Sequence, residues 1–235
     1  VYRIHAGIII CNEKGILHVP VLFHGCERFP HAGSRRRQAG GAVKIGVFGG
    51  TFNPVHLGHL INAQYLLGEY SLDRIVFVPA REPVHKPLEG GATAEDRFRM
   101  LELAVRGNGA FEVSRIELDR ETPSYTVITL GEIGRRYGND GIHLIIGADS
   151  YRQLDTWKDY RSILVEARVI VMRRPGEVID KDLYPDREAF LFAANPLIDI
   201  SSRGIRAAVR TGAPVRYLVP DGVLEYIKEK GLYAN

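Results

Sequence analysis

Two histidines three residues apart, His56 and His59, follow a Gly-Gly pair in the stretch GVFGGTFNPVHLGHL, residues 46–60. Phosphate chemistry would use every part of it. Gly49 and Gly50 let backbone N–H groups approach a phosphate with no Cβ in the way. Pro54 fixes the chain ahead of the next helix, and residues three apart at a helix start share a face, so both imidazoles can donate to one ligand. Zinc binding is the competing chemistry, but it needs three or four protein ligands, and no nearby cysteine or carboxylate completes the set. The histidines could also merely cap or pack the helix start. A lone histidine would favour that reading, whereas two behind Gly-Gly-Thr favour phosphate. Neither a G-x-G-x-x-G dinucleotide fingerprint nor a G-x-x-x-x-G-K-[ST] phosphate loop occurs.

Further segments carry residue types suited to an anion or a nucleotide. ISSRGIR (200–206) puts serines where a helix N-cap belongs. With Arg206 it forms a second anion site, and an ordinary capped helix with a surface arginine reads equally well. Gly147 and Asp149 follow the apolar run HLII; there a carboxylate can accept from ribose hydroxyls or cap the next helix. Trp157, the only tryptophan, stands in the polar QLDTWKDY, which favours a ring platform over a core position. Tyr125 and Thr126 open a helix after Pro123, so unpaired N–H groups and a hydroxyl could meet an anion. His85 and Lys86 occupy a proline-bounded loop, a candidate lid over phosphates, although exposed lysines are usually only solvated.

The elements that must position these residues alternate. KIGVF, RIVFVP, FEVSRIEL, HLIIGA, RVIVMRR and LIDIS read as strands. Between and after them, LGHLINAQYLLGEY, AEDRFRMLELAV, SYTVITLGEIGRRY, YRSILVEA, SRGIRAAVRTG and VLEYIKEKGLY read as helices. The first helix is expected to bury Leu57, Leu60, Ile61, Gln64 and Leu67, and the second Phe98, Leu101 and Val105. Such alternation implies an α/β fold with a mainly parallel, doubly wound sheet and a C-terminal helical portion. Continuous apolar strands fit burial on both faces. In such sheets ligands bind beyond the carboxyl ends of the strands, where the glycines and histidines fall.

At 235 residues and 45% hydrophobic, the chain can build one sizeable core. Residues 44–235 are expected to form it, with 1–43 a tail or linker: HGCERFPHAGSRRRQAGG has no apolar period. GIIIC and ILHVPVLF could pair as strands within that segment. A net charge of +3 suits anionic small molecules but is too weak to indicate nucleic acid, and the Arg35–Arg37 cluster reads as a solvated tail. No run reaches the ~18 apolar residues of a membrane span. AGIIIC is too short for a secretory core, and two cysteines, Cys11 and Cys26, make a disulfide framework improbable; the cytoplasm is the expected compartment.

GGTFNPVHLGHL resembles the H-x-G-H motif of the nucleotidyltransferase superfamily, in the form seen in bacterial nicotinate-nucleotide adenylyltransferases. The resemblance continues through PVHKP, PSYT, IIGADS, DTWKDY and ISSRGIR, and covers about residues 44–235. It implies a Rossmann-like nucleotidyltransferase fold and transfer of an adenylyl group from ATP to nicotinate mononucleotide. Gly49, Gly50, Thr51, Phe52, His56, His59, Gly147, Asp149, Ser201 and Arg206 would bind ATP, with His56, His59 and Arg206 catalytic. Lys86, Tyr125, Thr126, Trp157 and Lys158 would bind the mononucleotide, the Trp157 ring stacking on the pyridine. Mg²⁺ would arrive with the triphosphate, and no nucleic acid or membrane partner is implied. A homo-oligomer is compatible with the sequence. Asn53 stands where aspartate is frequent, Arg203 where a small hydroxyl residue is usual, and Val84 where a second proline is common.

Overall fold

The computed structural model describes residues 8–12, 15–19, 43–82 and 90–234. The chain divides into two units, Val1–Arg37 and Gln38–Asn235. In the first, β1 (Ile8–Asn12) pairs antiparallel with β2 (Gly15–Val19). In the second, β3 (Ile45–Gly50), β4 (Arg74–Pro79), β5 (Phe111–Val113), β6 (Ile142–Gly147), β7 (Arg168–Met172) and β8 (Phe190–Phe192) form one sheet. Its order is β5-β4-β3-β6-β7-β8, and every pair is parallel. Counted from β3 this is 3-2-1-4-5-6, the doubly wound order, with the chain reversing direction across the sheet between β3 and β6.

Side chains alternate between the two faces, as the pleat requires. Phe48, Ile75, Phe77, Ile145 and Ile170 join one apolar cluster, which takes in Leu66, Leu101, Ile205 and Val223. These come from α1 (Leu57–Glu69), α2 (Ala94–Val105), α6 (Ser202–Arg210) and α7 (Asp221–Lys230). Val47, Val76, Leu144, Ile146, Val169 and Val171 join the other, with Leu130 and Ile133 of α3 (Thr126–Tyr137) and Ile163 of α5 (Tyr160–Glu166). The short helix α4 (Ala148–Tyr151) follows directly on β6. Burial on both faces explains why the strands are apolar throughout.

Three elements differ from the sequence reading. LIDIS is not a strand: Phe190–Phe192 takes the place beside β7, and residues 197–201 run on as irregular chain toward α6. FEVSRIEL pairs only over Phe111–Val113, opposite Ile75–Phe77; Ser114 N–H still reaches Phe77 O at 2.9 Å before the chain turns away, although β4 runs on to Pro79. In α1 the fully buried positions are Gly58, Ala63 and Leu66, while Ile61 is 44% exposed and Gln64 faces solvent. That helix is apolar on most of its circumference, so period alone picks the wrong stripe. No helix among the described residues is long and apolar enough to cross a membrane.

The division after Arg37 makes a direct prediction. A chain starting at Gln38 should keep the melting temperature of the full chain, measured by circular dichroism. A marked loss would show that the first unit stabilises the sheet.

Candidate active site

The loop from β3 to α1 carries no charged side chain before His56, and its backbone is held from outside. Ala80 N–H donates to Gly50 O at 2.9 Å. Arg97 Nη1 donates to Thr51 O at 2.8 Å, Arg206 Nη1 to Asn53 O at 2.8 Å, and Ser202 Oγ to Pro54 O at 2.8 Å. Tyr233 Oη donates to the Asn53 side-chain carbonyl at 2.7 Å, so Asn53 keeps the turn. In a trans peptide the carbonyl and the following N–H point opposite ways. Fixing Gly50 O and Thr51 O outward therefore directs the Thr51 and Phe52 N–H groups the other way, and both residues line the cleft. Phe52 adopts φ 49°, and its ring turns into the core against Phe48 and Phe77. A Cβ on Gly50 would come within 3.1 Å of that ring, so Gly50 makes room for Phe52; at Gly49 a Cβ would meet only open space.

His56 is the N-cap of α1 and His59 stands three residues on, their rings 3.7 Å apart and inclined at 32°. His59 Nδ1 accepts the His56 backbone N–H at 3.2 Å, closing a capping-box bond usually made by Glu or Gln. That bond leaves the hydrogen of the neutral ring on Nε2. Phe48 and Phe52 present edges to the same ring. Burial lowers the His56 pKa to about 4, helped by the Arg174 cation. Burial likewise holds His59 well below the ordinary histidine range, with His56 and Arg174 adding to it. At neutral pH the pair is a set of uncharged N–H donors in a site rich in positive charge.

Across the cleft, Ser201 caps α6 by accepting the Gly204 N–H at 3.1 Å. Arg206, 9% exposed, reaches from the same helix to the loop. Asp149, in the first turn of α4, pairs with Arg174 Nε at 3.1 Å and makes no cap. Gly147 sits beneath them; any Cβ there would run into the Arg174 guanidinium and the Asp149 carboxylate. One cleft of about 730 Å³ gathers Gly49, Gly50, Thr51, Phe52, His56 and His59 from the β3 side. Asp149, Ser201 and Arg206 complete its lining from the other, at the carboxyl end of the sheet. Ten residues were expected to serve the triphosphate nucleotide; nine line this cleft, and Gly147 backs it.

The second group lies apart from that lining. Tyr125 is the N-cap of α3 and Thr126 its first residue. Lys158 Nζ stands 4.5 Å from the Tyr125 ring centroid. Trp157 is half-buried against the cluster under α3. Lys86, with His85 and Val84, lies outside the described residues. Sequence reasoning missed Arg174 and Arg97. Arg174 had a signal, a charged pair ending the buried strand RVIVM at its carboxyl end. Arg97 had none, since an arginine in AEDRFRML reads as the polar face of a helix, yet it is fully buried. No group of three or more His, Cys, Asp or Glu among the described residues could hold a metal ion.

Neutral imidazoles at the switch point of a doubly wound sheet, in a cleft shared with a helix N-terminus and four arginines, form a site of the nucleotidyltransferase class. Residues 47–208 match the cytidylyltransferase-like family model. The chain is 44% identical over 190 residues to a probable nicotinate-nucleotide adenylyltransferase of Geobacillus kaustophilus, covering 81% of this chain and 86% of that protein. A probable nicotinate-nucleotide adenylyltransferase of Corynebacterium kroppenstedtii is 39% identical over 191 residues, or 81% and 90% of the two chains. The solved structure of Plasmodium falciparum nicotinic acid mononucleotide adenylyltransferase complexed with NaAD shares the fold, with a TM-score of 0.66 at 17% identity. It covers 81% of this chain and 97% of that one. The chain belongs to the nicotinate-nucleotide adenylyltransferase family.

The buried histidines make stability depend on pH. Between about 6.5, the ordinary histidine value, and the lowered value of about 4, the unfolded chain binds a proton at His56 that the folded chain does not. Stability should therefore fall as pH drops through that window, and His59 acts in the same direction. Thermal melts of a His56→Asn variant should show a shallower fall across the window. An unchanged slope would contradict the burial effect.

Proposed function

We propose that the cleft binds ATP and that the protein transfers its adenylyl group to nicotinate mononucleotide, releasing pyrophosphate and forming deamido-NAD, a step of NAD biosynthesis in the cytoplasm. The observation that carries the reading is the close, neutral His56–His59 pair lining one cleft with Thr51, Phe52 and Arg206. The nucleophile is a phosphate whose second pKa lies near ~6, so it arrives ionised and needs no general base. The obstacle is repulsion between two anions, and catalysis then rests on positioning and charge neutralisation. His56 and His59 donate to the α-phosphate, Ser201 and Arg206 receive the departing pyrophosphate, and Asp149 accepts from ribose hydroxyls. The donors present do not fit a metal held by the protein alone. We propose that Mg²⁺ enters on the triphosphate.

Tyr125, Thr126, Trp157 and Lys158 take the mononucleotide. Helix-start N–H groups, the Thr126 hydroxyl and the Lys158 ammonium suit the pyridine carboxylate. An amide in the same place would leave a donor unpaired, costing about 1–3 kcal/mol.

Three outcomes are expected. His59→Ala should lose about 10²–10³ in turnover, the cost of removing one preorganised donor, while keeping its fold. Pyrophosphate release with ATP and a panel of phosphate acceptors should be fastest with nicotinate mononucleotide. It should exceed the nicotinamide analogue by about tenfold to a hundredfold in kcat/KM. Thr126→Ala should narrow that ratio by weakening nicotinate use; equal use of both mononucleotides by the native protein would overturn the assignment.

A further inference from the structure

Arg97 is buried completely, yet among the described residues no carboxylate pairs with its guanidinium. Its hydrogen-bond partners are two backbone carbonyls on different loops. Nη1 donates to Thr51 O at 2.8 Å, in the loop that faces the triphosphate, and Nη2 to Arg81 O at 3.0 Å, just beyond β4. Nε has no hydrogen-bond partner. Taking a guanidinium out of water without an opposite charge is expensive, so it persists only where its geometry is needed. A planar fork spanning two carbonyls fixes the distance and the angle between them, which a lysine ammonium cannot do.

From Arg81 the connections continue toward the other half-site. Arg81 N–H donates to Ser124 Oγ at 3.2 Å, next to Tyr125 and Thr126. Arg81 Nη1 donates to Arg120 O at 2.6 Å. Arg120 in turn holds Glu132 at 3.1 Å and Thr129 Oγ1 at 3.2 Å on α3. The Thr129 hydroxyl donates to the buried Glu117 carboxylate at 2.6 Å. The β3–α1 loop and the start of α3 are thus joined by an unbroken set of hydrogen bonds with Arg97 at its centre.

We propose that Arg97 is a positioning residue that, through Arg81 and Ser124, sets the phosphate loop and the Tyr125–Thr126 segment in register, so that the two substrates' phosphates meet in line. It touches neither substrate. The proposal rests on the assignment of Tyr125 and Thr126 to the mononucleotide. In-line transfer is sensitive to placement, and a misplacement near 1 Å can cost about a hundredfold. When the link is cut, Ala80, Arg206 and Ser202 still hold the loop's other carbonyls, so binding survives while the reacting atoms lose alignment.

Steady-state kinetics of Arg97→Lys, Ser124→Ala, Ser124→Thr and the Arg97→Lys/Ser124→Ala double variant test this, with melting temperatures as a fold control. Arg97→Lys and Ser124→Ala should each lower kcat by about ten- to a hundredfold with little change in either KM. Ser124→Thr, which keeps the hydroxyl, should restore turnover. The double variant should lose much less than the product of the single losses. Losses that multiply to within about twofold would mean independent sites and overturn the proposal. So would near-native kcat in folded Ser124→Ala, which decides alone if Arg97→Lys does not fold. A wrong mononucleotide assignment reads differently: Thr126→Ala would then leave nicotinate mononucleotide use untouched.

Discussion

A phosphate-binding loop must keep its carbonyl oxygens away from the phosphate, and the rest of this structure serves that requirement. Gly50, Thr51, Asn53 and Pro54 each have their carbonyl claimed by a donor from elsewhere: Ala80 after β4, Arg97 on α2, Arg206 and Ser202 on α6. The loop's own residues supply none of this. The sheet order brings β4 alongside β3, and packing on one face brings α2 and α6 over the loop. What remains toward the cleft is backbone N–H and imidazole. An unanchored loop of the same sequence would present carbonyls part of the time, and each would repel the ligand.

Electrostatics in the cleft follow from the same arrangement. Positive charge comes from Arg173, Arg174, Arg203 and Arg206, all outside the loop, while burial keeps His56 and His59 neutral. Neutral rings cost less to bury beside arginines than imidazolium would, and they still donate hydrogen bonds. Asp149 offsets Arg174. Under the role proposed for Asp149, a nucleotide drawing it to the ribose would release the guanidinium for phosphate, so one ion pair would supply two ligand contacts. Surface-exposed pairs of this type hold weakly, which suits an interaction that must open.

Much of this was legible in the sequence, and the misses have physical causes. The alternation of apolar strands with amphipathic helices was enough for a doubly wound sheet, and glycines and histidines at one strand's carboxyl end marked the cleft. Ile61 and the LIDIS segment misled because local hydrophobicity does not say which face or edge is already occupied. Arg97 was invisible for a deeper reason: its partners are backbone carbonyls, which every residue carries, so no side-chain pattern records them. The three-residue strand β8 left too short a periodic signal. Arg174 was readable only once the end of β7 was seen to line the cleft.

In the proposed function, the anchored β3–α1 loop receives the triphosphate through its backbone and through the neutral ring of His59. Heteronuclear NMR on the full chain, titrated with a non-hydrolysable ATP analogue, addresses this directly. The account predicts large shifts of the Thr51 and Phe52 amide protons and of the His59 Nε2–H at neutral pH, with His59 staying singly protonated on Nε2. Saturable binding that leaves those amides unshifted, or a His59 ring protonated on Nδ1, would contradict it.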